Sequence, residues 1–326
     1  MKGSASFSKD ALRIDVAAEA DRICEWIRQV VRDDIRRRGA VVGLSGGIDS
    51  TVVGALCVRA LGAANVFGLL MPERDSSPDT RRLSSALVTH LGIDHALEDL
   101  TEILDAFGCY RRRDEAIASA VPEYRPGWKH KIVLPSVTAS DVYRVFSVVV
   151  QRPDGSEIKA RLSSDAYLTI VAATNFKQRS RKTLEYFHAD RLNYVVAGTP
   201  NLLEYDQGFF VKLGDGAADI KPIAHLYKSQ VYAMAEYLGM PEEIRRRPPT
   251  TDTYSLPQSQ EEFYFSLPYD QMDVCLYGYT HNIPAAEVGA ALGLTAAQIE
   301  RVFRDIEGKR RVARYLGMPP RLVPQA

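Results

Sequence analysis

Paired cysteines are missing from this 326-residue chain. Its four, Cys24, Cys57, Cys109 and Cys275, are scattered and form no Cys-x-x-Cys pair. Neither a disulfide framework nor a structural zinc site is indicated, and a reducing cytoplasm fits. No apolar run approaches the roughly 20 residues that span a bilayer, and residues 1–10 are too polar for the apolar core of a signal peptide. No membrane partner is expected. Charge of one sign is absent too: 41 acidic and 41 basic residues give a formal net charge of zero, which argues against a general nucleic-acid binder. The chain has no Gly-Lys-Ser/Thr ending of a Walker phosphate loop, so the γ-phosphate chemistry of kinases and GTPases is not the first expectation. No Cys-His or Ser-His pair stands out as a nucleophilic device. What remains is 46% hydrophobic, enough for one large or two small domains to bury a full core without staples.

One stretch organises the rest: Val-Val-Gly-Leu-Ser-Gly-Gly-Ile-Asp-Ser-Thr at 41–51. An apolar run at 40–44 reads as a buried strand and helical spacing begins at Ile48, so Ser45, Gly46 and Gly47 form the turn between them. A glycine loop at a helix N-terminus presents unpartnered N–H groups at the positive end of the dipole, a receptor for phosphate. Gly46 and Gly47 let the backbone come close, Ser45 and Ser50 offer hydroxyls, and Asp49 can hold a magnesium ion. An ordinary strand-to-helix turn with a serine cap is the bland alternative.

Strands are expected at 65–71, 94–100 and 193–197, and helices at 14–38, 78–91 and 165–188. Their alternation implies βαβ units: an α/β fold with a Rossmann-like open parallel sheet and helices on both faces. Ligands of such sheets bind beyond the carboxyl ends of the strands, where Ser45 to Ser50, Arg74, Ser76, Thr199 and Glu204 fall. Residues 109–164 break the rhythm. Two β-rich runs, 142–150 and 157–162, flank Arg-Pro-Asp-Gly and read as an inserted β-hairpin, which could serve as a lid, an oligomer contact or a tolerated excursion. The region from 268 to the end reads as a helical appendage. Its short helices at 284–293 and 295–306 mimic a DNA-reading pair, although Gln298, Glu300 and Glu307 suit packing better than a nucleic-acid partner.

In Asn-Phe-Lys-Gln-Arg-Ser-Arg at 175–181, Arg179 and Arg181 point apart around a helix, while Asn175 and Arg179 share a face. Lys212, Asp215 and Asp219 lie in the glycine-containing loop 208–219, and Lys228 opens a helix, where an anionic partner would offset the dipole.

The Ser-Gly-Gly-Ile-Asp-Ser string resembles the pyrophosphate-binding loop of the ATP pyrophosphatase superfamily. Together with Asn175 to Arg181, Gly198-Thr199 with Glu204, the 210–219 loop and Tyr227-Lys228-Ser-Gln-Val, the ordered set is similar to the ammonia-dependent NAD synthetase family over roughly residues 16–247. That resemblance implies one ATP-pyrophosphatase-type domain over 1–326. ATP adenylates the carboxylate of deamido-NAD, pyrophosphate leaves, and ammonia displaces AMP. By the resemblance, Ser45, Gly46, Gly47, Asp49, Ser50, Thr199, Lys228 and Thr250 bind ATP, and Asp49 and Glu204 hold Mg2+. Asn175, Arg179, Lys212, Asp215 and Asp219 contact deamido-NAD. The catalytic candidates are Asp49, Lys212 and Asp219, the last a candidate base for ammonium. The family forms homodimers, so a dimer is expected. No glutaminase domain is present, so nitrogen comes from free ammonia or a separate glutaminase subunit. Two departures, the long 109–164 segment and the Phe263-Tyr264-Phe265 cluster, leave open an adenylating amide synthetase for a different acid.

Overall fold

The computed structural model describes residues 7–133, 146–249, 253–265 and 267–324. Thr250, named above as an ATP ligand, lies outside them, as does the start of the strand expected from residue 142. The strands are β1 (Ala40–Gly43), β2 (Val66–Leu70), β3 (Asp94–Leu97), β4 (Lys129–Val133), β5 (Ser147–Gln151), β6 (Glu157–Arg161) and β7 (Val195–Ala197). Helices α1 (Val16–Gln29), α2 (Ile48–Leu61) and α3 (Pro78–Leu91) alternate with the first strands. Helices α4 (Thr101–Ala106), α5 (Cys109–Ala120) and α6 (Ser164–Leu192) follow β3, with β4 to β6 between the last two. After β7 come α7 (Leu202–Gln207), α8 (Lys228–Tyr237), α9 (Glu242–Arg246), α10 (Tyr269–Thr280), α11 (Ala285–Leu292) and α12 (Ala296–Leu316).

A parallel sheet in the order β3-β2-β1-β7 forms the centre. β1, β2 and β7 read as unbroken apolar runs because both of their faces are covered, whereas the edge strand β3, Asp-His-Ala-Leu, is largely exposed. Successive side chains alternate between faces: Ala40, Val42, Val66 and Val195 join one core with α1, α2, α3 and α8. Val41, Leu69 and Val196 join another under α4, α5 and α6. Sequence punctuation sets the helix ends. Ser77 caps α3 through its Oγ (3.3 Å from Asp79 N), Pro78 occupies its first position and Gly92 closes it at φ 64°. The first helix is shorter than expected: regular α-geometry ends at Gln29, a π-helical turn fills Val30–Asp34, and Arg36 turns the chain at φ 60°.

The insertion is richer than a hairpin. β5 and β6 pair antiparallel about the expected turn, and β4 pairs on the other side of β5, making a three-stranded sheet. Before it, residues 109–120 form α5, packed on α6. The insertion has its own core, with Ile117, Tyr124, Ile132, Val148, Val150 and Ile170 buried. At the C-terminus, Val288, Ile299, Val302 and Ile306 of α11 and α12 are buried together in one core. Among the described residues no helix is long and apolar enough to cross a membrane.

Candidate active site

The chain leaves the sheet at the carboxyl end of β1. Leu44 N–H still donates to Leu69 O (2.8 Å), and the turn begins at Ser45. Gly46 has φ 70°, and a Cβ there would stand 2.8 Å from Leu83 Cβ, so conformation and packing both require glycine. Gly47, not a serine, occupies the position before α2, and no side chain caps that helix. The first-turn N–H groups and the positive dipole end are therefore left for a ligand, while Gly47, Ile48, Asp49 and Ser50 line a cavity. The Ser50 and Thr51 hydroxyls donate backward to Gly47 O (3.1 and 2.8 Å), and Ser45 Oγ accepts from Gly47 N–H (3.2 Å). These bonds fix the loop before any ligand arrives.

Asp49 binds the loop to the far side of the sheet. One carboxylate oxygen pairs with the fully buried Lys228 ammonium; the other accepts from Asn201 Nδ2 (3.0 Å). Asn201 also caps α7: its Oδ1 accepts from Glu204 N–H (3.2 Å), and Glu204 Oε2 accepts from Asn201 N–H (3.1 Å). This capping box aims Glu204 at Asp49. Asp273 of α10 accepts from the N–H groups of Lys228 and Ser229 (3.2 and 2.7 Å), fixing the start of α8 and with it the lysine. Sequence reading missed Asn201 as a site residue, although Asn-x-x-Glu is itself a capping signal.

Two carboxylates here share one cation. Burial, and then the neighbouring Asp49 charge, push the Glu204 carboxyl well above its ordinary value. Burial works against the Lys228 ammonium, yet Asp49 and Glu204 outweigh it and hold its pKa above the usual lysine value. The pair is short of positive charge. Among the described residues no group of three or more His, Cys, Asp and Glu side chains could hold a metal ion. A carboxylate pair suits a hard cation that completes its shell with phosphate oxygens and water.

The cavity has a volume of about 590 Å³. It runs from the Ser45 to Ser50 cradle past Thr199, Glu204, Asn175 and Asp215 to rings from the insertion and the 253–265 segment. Asp215 accepts from Val211 N–H (2.8 Å), and burial raises its carboxyl pKa. Arg81, Arg181 and Arg247 line the cavity without having been singled out as ligands; Arg247 donates to Ser45 O (3.4 Å) and Thr80 Oγ1 (3.0 Å). Arg74 instead stacks on Tyr110 (3.6 Å), and Ser76 Oγ accepts from Glu73 N–H (3.1 Å), so both serve the turn after β2.

Arg179, Lys212 and Asp219 are not brought into the cavity. Arg179 and Arg181 do diverge around α6: Arg179 Nε donates to Lys212 O (3.2 Å), Arg181 Nε to Met71 O (3.4 Å). Lys212 Nζ donates to Tyr315 O (3.2 Å), and Asp219 accepts from Val196 N–H (2.7 Å) and Tyr186 Oη (3.3 Å). No thiol competes as a nucleophile: all four cysteines are buried, and burial raises Cys109 to about 11 and Cys57 and Cys275 to about 12.

The family model described as NAD synthase matches residues 19–121 and 142–315, leaving out a stretch inside the insertion. An NH(3)-dependent NAD(+) synthetase of Rhizobium meliloti (strain 1021) is 60% identical over 317 residues, 97% of this chain and 95% of that one. In fold the chain is similar to the NH3-dependent NAD synthetase of Campylobacter jejuni (TM-score 0.62, 24% identity, covering 95% of this chain and 100% of that one). It is also similar to an NMN synthetase of Francisella tularensis (TM-score 0.64, 21% identity, covering 96% and 100%). With an uncapped glycine cradle, a part-buried Asp49–Lys228 pair and a matched family model over most of its length, the chain belongs to the NAD synthase family.

Proposed function

We propose that the protein makes NAD from deamido-NAD, ATP and ammonia by way of an acyl-adenylate, releasing AMP and pyrophosphate. The observation that carries this reading is the Asp49–Lys228–Asn201–Glu204 constellation at the uncapped start of α2, in a chain 60% identical to an NH(3)-dependent NAD(+) synthetase.

A carboxylate is a poor acyl donor because its leaving oxide is very basic; adenylation replaces that oxide with AMP. The N–H groups opening α2, with the Ser45 and Ser50 hydroxyls, receive the phosphates, and Arg247 neutralises charge at the leaving pyrophosphate. Asp49 and Glu204 would hold Mg2+, which when bound would offset phosphate charge. Lys228 fixes the Asp49 carboxylate and stays charged. Thr199, Asn175 and Asp215 border the space where acid and α-phosphate meet, so their work is positioning. Ammonia then attacks the acyl carbon, the acyl C–O bond to phosphate breaks, and AMP leaves while the nitrogen loses a proton.

Arg179 and Lys212 serve the dinucleotide on the outer face, beside Leu213 (71% exposed) and Tyr315 (63% exposed), with Asp219 farther along the same loop, where a second copy completes the site in a homodimer. Purified protein supplied with deamido-NAD, ATP, Mg2+ and ammonium is expected to yield NAD, AMP and pyrophosphate in equal amounts. Absence of NAD at high ammonium overturns the reading.

A further inference from the structure

We propose that the three-stranded insertion is a clamp: it holds segment 253–265 against the cavity so that the acyl-adenylate meets ammonia and not water. The inference rests on the reading above.

The segment supplies Thr253, Tyr254, Gln260, Phe263 and Tyr264 to the cavity wall. Segment 253–258 is bonded along the free edge of β4 almost as another strand. Leu256 N–H donates to His130 O (3.0 Å), His130 N–H donates to Ser255 Oγ (2.9 Å), and Gln258 Nε2 donates to Ile132 O (2.5 Å). Ser255 Oγ also lies 3.2 Å from His130 Nδ1. Burial, followed by the Arg113 charge, lowers His130 to about 3, so its ring is neutral and Nδ1 can accept the serine proton.

A second fastening comes from beneath. Lys177 of α6, 1% exposed, donates to Glu73 Oε1 (2.8 Å), Asp75 Oδ2 (2.9 Å) and Thr253 O (2.9 Å). Arg113 of α5 pairs with the same Asp75 carboxylate (2.5 Å). One buried ammonium thus joins the turn after β2, the long helix and the wall segment. Tyr254 completes the seal: its ring is buried in the insertion's own core, edge-on to His130 (5.9 Å) and Phe263 (5.6 Å).

The chemistry explains why such a wall matters. Water can replace ammonia as nucleophile: its oxygen attacks the acyl carbon, the acyl C–O bond to phosphate breaks, AMP leaves and the carboxylate is regenerated with loss of a proton. Each such event consumes ATP without making NAD. A wall of rings held on two sides excludes water from that carbon.

Ser255→Ala and Gln258→Leu remove clasps and leave the cradle untouched, so pyrophosphate release is expected to stay within about twofold of the parent, the size of a minor positioning loss. The readout is AMP formed per NAD at limiting ammonium, together with hydrogen exchange of segment 253–265. The parent should give one AMP per NAD. Each variant should give several-fold excess AMP and faster exchange confined to that segment. One AMP per NAD in both variants overturns the clamp, as does excess AMP with unchanged exchange. A parent that makes neither AMP nor NAD instead removes the function proposed above.

Discussion

Two ionic clusters, one part-buried and one buried, flank the cavity, and each holds one carboxylate more than it holds cations. In the first, Asp49 and Glu204 share Lys228. In the second, Glu73, Asp75 and Asp114 share Lys177 and Arg113. The second absorbs its surplus internally: Tyr110 Oη donates to Glu73 Oε2 (2.9 Å) and Tyr124 Oη to Asp114 Oδ1 (3.2 Å). Burial works against the Asp75 carboxylate, yet Lys177 and Arg113 outweigh it and hold its pKa well below the usual range. The first cluster leaves its surplus on Glu204, whose pKa moves up. A structural knot closes its electrostatic account within the chain, whereas a ligand site leaves part of it open toward the cavity.

The sharpest way to break the comparison is Lys177→Met. It strands Glu73 and Asp75 without their ammonium, and loss of one partner from a buried pair costs about 3–5 kcal/mol. Urea unfolding should show that loss with the slope unchanged; a loss below about 1 kcal/mol, the range of exposed ion pairs, would mean the knot is solvated. Asp49→Asn attacks the other cluster and should act on rate: pyrophosphate release falls on the order of 10²–10³-fold. Lys228 then keeps only the Glu204 charge nearby, so some stability is lost as well, though less than for Lys177→Met, which takes an ammonium from two carboxylates. A variant releasing pyrophosphate at the parental rate removes Asp49 from the site.

Acidity sharpens the contrast because the two clusters respond with opposite sign. Glu204 has a folded pKa above its ordinary 4.5, so the free protein binds the proton more tightly than the unfolded chain and loses stability as pH rises above that value. Asp75 has a folded pKa below its ordinary 3.8, so its contribution is complete above that value and disappears as pH falls through the lowered one. Mg2+ with a nonhydrolysable ATP analogue should abolish the first slope and spare the second. Urea titrations from about pH 3 to about pH 9 in both conditions test this; a ligand-independent slope above pH 4.5 would assign the effect to groups other than Glu204.

The cradle was legible in the sequence because its parts are adjacent and punctuated. Glycine and the Ser-Pro pair delimit α2 and α3; α2 begins at the Ile48 that the helical spacing predicts, and α3 has both predicted bounds. The Lys177 knot was not legible, since Lys177 stands 104 residues from Glu73 and only the fold brings them together. β4 was missed for a related reason: Lys-His-Lys-Ile-Val carries little alternation of its own, and it forms by pairing with β5 across the intervening chain. Arg179, Lys212 and Asp219 were named through family resemblance; the bond from Arg179 to Lys212 and the bonds of Asp219 to Val196 and Tyr186 could not be read from spacing.

The finest distinction comes from two capping boxes with the same local chemistry. Thr295 caps α12 with Gln298: Thr295 Oγ1 accepts from Gln298 N–H (3.3 Å), and Gln298 Oε1 accepts from Thr295 N–H (2.9 Å). Asn201 and Glu204 do the same for α7, but Asn201 also donates to Asp49. Replacing either cap by alanine should cost about 1 kcal/mol of stability. Thr295→Ala should leave magnesium dependence untouched, because Thr295 bonds to Gln298 in the first turn of its own helix and not to the Asp49 and Glu204 carboxylates. Asn201→Ala should in addition raise the Mg2+ concentration needed for half-maximal rate, since Asp49 loses the amide that orients its carboxylate, while Glu204 keeps the backbone N–H of residue 201. Equal stability losses with unequal magnesium dependence would separate holding a helix from aiming a ligand; matched magnesium curves would show that Asn201 serves only its helix.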